Sequence, residues 1–116
     1  MTHEIGAGLL KLEVEREGTT VIVRCHGKLV AGVNDLLYLE VSQLIPDAKR
    51  VVLDLTDLTH MDSMGLGTLV RLYVSAKSAG CDLELINIGK RIRQLLTLTN
   101  LASVFAIAGA QGVTII

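Results

Sequence analysis

Leu10 to Glu15 reads Leu-Lys-Leu-Glu-Val-Glu, a strict alternation of apolar and polar residues. A period of two marks a strand with one buried face. Glu17-Gly18-Thr19 supplies turn chemistry, and Thr20-Val21-Ile22-Val23-Arg24-Cys25 reads as the returning strand of a hairpin. Gly27 to Gly32 is expected to be a connection. Beyond it the period changes. Val33, Leu37, Val41, Leu44 and Ile45 share one side of a helix, Asn34, Asp35 and Glu40 bring polarity to its first turns and outer face, and Pro46 closes it.

Val51-Val52-Leu53-Asp54-Leu55 is nearly continuous in apolar character, which suits a central strand covered on both faces. Thr56 to Asp62 is expected to be a loop. Leu66, Leu69, Val70, Tyr73 and Ala76 form a second helical stripe that ends near Gly80, a fitting residue just past a helix end. Asp82 to Ile86 reads as a strand. Residues 90–99 read as a third helix with Ile92, Leu95, Leu96 and Thr99 inward and Lys90, Arg91 and Arg93 outward. The tail, Ser103 to Ile107 and Gly112 to Ile116, has strand character. No repeat or linker interrupts this order, so residues 1–116 are read as a single α/β domain, a mixed sheet with packed helices.

Composition narrows the picture. Half of the 116 residues are apolar but only 3% are aromatic, so the core has to be built from Leu, Val, Ile and Ala. A net charge of −1 excludes binding to nucleic acid or an anionic membrane through the overall field. Charge-based recognition must be local. Cys25 and Cys81 show no metal-ligand spacing and lie in strand-like stretches, as buried free thiols in a reducing compartment do. No secretory signal and no apolar run of the roughly 20 residues that span a bilayer are evident. The expected location is therefore the cytoplasm, with no metal or cofactor.

The chemistry concentrates in Thr59-His-Met-Asp-Ser-Met-Gly-Leu-Gly-Thr-Leu69, where a helix starts directly behind an Asp-Ser pair. Two glycines there are unexpected, since each is about 0.8–1 kcal/mol worse than alanine within a helix. Asp62 or Ser63 serves as the N-cap, and no capping box follows Ser63 because the third residue on is Leu66. A serine hydrolase is disfavoured: Met61-Asp62-Ser63-Met64-Gly65 lacks the first glycine of a nucleophile elbow, and His3, His26 and His60 all precede the serine. Gly65-Leu66-Gly67 lacks the third small residue of a dinucleotide fingerprint, because Val70 stands there. A phosphate on Ser63 would face unpaired helix N–H groups and the positive end of the helix dipole, while adding about −1.5 to −2 charges beside Asp62. Gly65 and Gly67 would leave the first turn open to another protein. Arg71, Lys77, Lys90, Arg91 and Arg93 read as solvated faces, and Tyr73 as core.

Val51 to Leu69 resembles the signature of STAS domains, the anti-sigma factor antagonist family, and so do Leu83 to Asn87 and Arg91 to Leu101. The resemblance implies a four- or five-stranded mixed sheet with helices packed mainly on one face. It implies a non-enzymatic bacterial regulator that works by partner switching: unmodified, it binds an anti-sigma factor that is also a serine kinase. Phosphorylation at Ser63 releases it, and a phosphatase resets it. Asp62, Ser63, Met64, Gly65, Leu66 and Gly67 would form the partner-binding element, with Leu66 adding apolar burial. A STAS scaffold that is never phosphorylated is the alternative. Two departures stand out. Gly27-Lys28-Leu29-Val30 replaces the Gly-Glu-Leu-Asp of many members, and an apolar tail ends the chain where an amphipathic helix is usual. That tail is expected to be packed, paired or used in a homodimer.

Overall fold

The computed structural model of the chain describes residues 2–98, and the expectations for the C-terminal tail lie outside them. Five strands form one sheet in chain order: β1 (Thr2–Ala7), β2 (Leu10–Glu17), β3 (Thr20–Leu29), β4 (Arg50–Met61) and β5 (Asp82–Ile86). The first three pair antiparallel, whereas β3, β4 and β5 run parallel. Helix α1 (Asn34–Leu44), continued by a short 3-10 turn at Ile45–Asp47, connects β3 to β4. Helix α2 (Ser63–Ser78) connects β4 to β5, and α3 (Lys90–Leu98) follows. Each parallel strand is added on the same side of the last. Two crossovers of the usual right-handed sense then place α1 and α2 on the same face.

Burial follows that arrangement. Leu12, Val23, Leu53 and Leu85 point to the helix side and are fully buried against Leu37, Val41, Leu69 and Leu72. The core is aliphatic, as composition requires, and Tyr38 and Tyr73 sit half-buried at its margin. The inward stripe of α2 runs through Leu66, Leu69, Leu72 and Ala76; Val70 and Tyr73 are only half-buried. Each fully buried Leu contributes about 1.5–3 kcal/mol.

The opposite face, among the described residues, carries no helix. Alternate residues there form ion pairs instead: Arg24 donates to Glu15 at 2.8 Å and lies 3.9 Å from Asp54, and Arg50 pairs with Glu84. His26 lies between Glu13 at 2.7 Å and Asp57 at 3.0 Å. The expectation of helices mainly on one face is thus met, while the second face of β4, expected to be covered as well, carries no packed element among the described residues. Val52 is shielded within a shallow trough walled by Ile22, Arg24, Arg50 and Ile86, which accounts for its place in an unbroken apolar run. Exposed ion pairs of this kind contribute about 0–1 kcal/mol each, so the face adds solubility more than stability.

Three expectations need correction. β1 was not foreseen; Thr-His-Glu-Ile-Gly-Ala has little apolar alternation, and it becomes a strand by pairing with β2 from Thr2↔Glu15 to Ala7↔Leu10. Residues 27–29 are not a connection, and residues 56–61 are not a loop. They pair with each other: His26↔Asp57, Gly27↔Leu58, Lys28↔His60 and Leu29↔Met61, with register shifts between Arg24 and His26 and between Gly27 and Lys28. Each shift places an extra residue on β4, which breaks the period of two and makes the segment look irregular in sequence.

Candidate functional site

β3 and β4 run parallel and end at the same edge, and α1 and α2 both start there. In open α/β sheets this edge, beyond the carboxyl ends of the strands, is where sites form. The chain leaves β4 at Met61, passes through Asp62 in extended conformation (φ −109°, ψ −173°) and enters α2 at Ser63.

Asp62 is the N-cap. Its Oδ1 accepts hydrogen bonds from the backbone N–H groups of Met64 and Gly65, both at 3.0 Å, satisfying two of the donors that a helix start leaves unpaired. Its Oδ2 accepts from the Ala31 N–H at 2.9 Å, tying the turn to the segment between β3 and α1. Its own N–H donates to the Leu29 carbonyl at 3.4 Å. These backbone donors, Ala31 foremost, hold the carboxyl below the usual carboxylate range. The expectation that a phosphate on Ser63 would meet free N–H groups is therefore corrected: those of Met64 and Gly65 already serve the Asp62 carboxylate.

Ser63 occupies the first helical position. Its side chain is exposed, and its hydroxyl has no hydrogen-bond partner among the described residues. His60 does not serve it as a base: His60 Nδ1 lies 2.9 Å from the Thr59 hydroxyl, which in turn donates to the Gly27 carbonyl at 2.9 Å. A hydrolytic serine needs a base within hydrogen-bond reach, and none is hydrogen-bonded to Ser63 among the described residues.

The two glycines divide into separate roles. A Cβ on Gly65 would lie 2.1 Å from the Leu29 carbonyl oxygen, so glycine is what lets α2 start against the end of β3. Gly65 therefore faces inward and does not clear the way for a partner. A Cβ on Gly67 would meet nothing within 4 Å. Leu66 is only 5% exposed and packs into the core, while Met64 is 53% exposed. The exposed apolar side chain at this turn is thus Met64, not Leu66. Of the six residues singled out in the sequence, Ser63 and Met64 are exposed, Asp62 and Gly67 are half-buried, and Gly65 and Leu66 are buried.

Sequence reasoning missed the supports. Thr68 donates to the Met64 carbonyl at 3.1 Å and accepts from the buried Asn34 side chain at 3.1 Å, coupling the first turns of α1 and α2. A polar pair on two apolar stripes was the available signal. Leu29 and Ala31 gave none, because their part depends on parallel pairing with β4. Arg71 is exposed, as expected, and also stacks over the Tyr38 ring with its guanidinium carbon 3.9 Å from the centroid.

Comparison with known proteins agrees with this fold. A family model described as "STAS domain" matches residues 11–111. An anti-sigma F factor antagonist from Paenibacillus polymyxa is 26% identical over 100 residues, covering 84% of this chain and 86% of that protein. An anti-sigma factor antagonist from Mycobacterium paratuberculosis has a similar solved structure, with TM-score 0.73, 21% identity and coverage of 83% of this chain and 82% of that one. The Bacillus cell fate determinant SpoIIAA in its phosphorylated form gives TM-score 0.67 at 17% identity, covering 90% of each chain.

Proposed function

The chain belongs to the STAS domain family, and on that premise we propose that it is an anti-sigma factor antagonist switched by phosphorylation at Ser63. The observation that carries this reading is the division of labour at the helix start. Asp62 satisfies the backbone, so the Ser63 hydroxyl is left exposed and without a hydrogen-bond partner among the described residues. The relatives named above include antagonists of anti-sigma factors and one protein known in a phosphorylated form.

In the unmodified state, Ser63, Met64 and Gly67 dock into an anti-sigma factor that is also an ATP-dependent serine kinase. The bare face at Gly67 permits close approach, and Met64 supplies an adaptable apolar contact. Transfer of the γ-phosphoryl group to Ser63 Oγ places a dianion beside the Asp62 carboxylate. The cap already occupies the Met64 and Gly65 N–H groups, so the new charge stays on the surface and meets the partner. Like charge brought across an interface costs several kcal/mol, and each 1.4 kcal/mol is about tenfold in affinity. Binding falls by roughly two orders of magnitude without unfolding. A phosphatase restores the binding form.

The test uses each kinase-type anti-sigma factor of the source genome, purified and incubated with this protein and ATP. Mass spectrometry is expected to place one phosphate on Ser63 with one of these kinases. Ser63→Ala keeps the binding and Ser63→Asp loses it. Tight binding with no phosphate at Ser63 would mark the chain as an unswitched STAS scaffold.

A further inference from the structure

The sheet edge that carries Ser63 has a second exposed feature. Gly27 has φ +100°, and a Cβ there would lie 2.1 Å from the Leu9 carbonyl oxygen, so glycine lets β3 close on the β1–β2 turn. The Lys28 N–H then donates to that carbonyl at 3.0 Å. Leu9 itself is left 55% exposed, matching Met64 on the far side of the same edge. Lys28 stands opposite His60 in the β3–β4 register, two residues before Asp62 on the neighbouring strand.

Three other cations of the sheet are neutralised: Lys11 lies 3.3 Å from Glu4, Arg24 pairs with Glu15, and Arg50 with Glu84, whereas Arg16 of β2 makes no ion pair among the described residues. Lys28 meets no carboxylate among the described residues. Both oxygens of Asp62 are committed to backbone N–H groups, and Asp57 faces His26. The direction of the switch adds a second argument. Release on phosphorylation requires the facing surface to repel added negative charge; a basic face would capture the phosphate instead.

We infer that Leu9 and Lys28 extend the docking surface across the sheet edge, and that the partner is acidic there, with a carboxylate opposite Lys28 beside an apolar recess for Leu9. This rests on the reading of Ser63 given above. The carboxylate attracts the unmodified protein through Lys28 and repels it once Ser63 carries phosphate, so one partner group serves both halves of the switch.

The experiment measures association and dissociation of the anti-sigma factor that phosphorylates Ser63, across a series of salt concentrations. Lys28→Glu is expected to slow association roughly tenfold and to flatten its decline with salt. Lys28→Gln falls between, and Lys28→Arg restores the wild-type rate and salt dependence. Leu9→Ser speeds dissociation several-fold, with thermal unfolding unchanged in all four variants. If Lys28→Glu associates as fast as wild type, with the same salt dependence, the acidic partner face is overturned while the switch at Ser63 stands. If wild type binds no such kinase, both readings fall together.

Discussion

Gly65 and Gly67 are separated by one residue, yet the structure assigns them opposite sensitivities. Alanine at 65 drives a methyl group into the Leu29 carbonyl, and backbone cannot swing aside as a side chain can. Gly65→Ala is expected to lower stability by about 2–3 kcal/mol, the range of an overpacked core. Gly67→Ala meets open space and replaces glycine with the best helix former, so it raises stability by about 0.5–1 kcal/mol. Urea denaturation of the two variants checks both signs, and an equal effect of the two would refute the packing argument. Gly67→Ala also narrows the approach to Ser63, so it should weaken partner binding while strengthening the fold. From sequence, both glycines read as a means of access. The Asp62-Ser63 pair was legible because the local rules of helix starts suffice for it. The role of Gly65 was not, because it depends on a carbonyl delivered by another strand.

At the scale of elements, sequence periodicity served well wherever one element packs on one face. The β2–β3 hairpin, α1, α2, β5 and α3 all form close to their expected places. It failed where pairing, and not side-chain pattern, makes the strand. The far halves of β3 and β4 hold each other through a register with two shifts, so neither shows alternation alone. The extension matters to the site, since it carries Leu29 and Met61 up to the level of the turn. The helices are registered by a polar contact in apolar surroundings. Thr68→Val keeps the shape but removes the acceptor for the Asn34 amide and the donor to the Met64 carbonyl. A buried donor left unpaired costs about 1–3 kcal/mol. Thr68→Val should therefore lower the denaturation midpoint, and Thr68→Ser should recover most of the loss; if Thr68→Val were neutral, the pair would be incidental.

For the molecule as a whole, one layer of helices lies on one face of the sheet and ion pairs line the other, as far as the described residues extend. The aliphatic core was legible from composition, because a chain with so few aromatic residues has nothing else to bury. Cys25 reports on the integrity of that core. Burial pushes its thiol up to about 12, so in the folded protein it is neither ionised nor accessible at mildly alkaline pH. Labelling of Cys25 by a thiol reagent is expected to wait for opening of the sheet, with a rate that follows denaturant as global unfolding does. Rapid labelling of Cys25 under native conditions would contradict this. The strand order also has a temporal meaning. Among the described residues, each strand after β1 pairs with the strand made just before it, so its partner is already present when it emerges. The last contacts around Ser63, from Leu29 and Ala31 to Asp62 and Gly65, close only when β4 has docked on β3 and α2 has begun. Under the proposed function, Ser63 is thus held in its ordered turn only after β3 and β4 have paired beneath it, and a shorter chain gives a kinase no ordered serine to read.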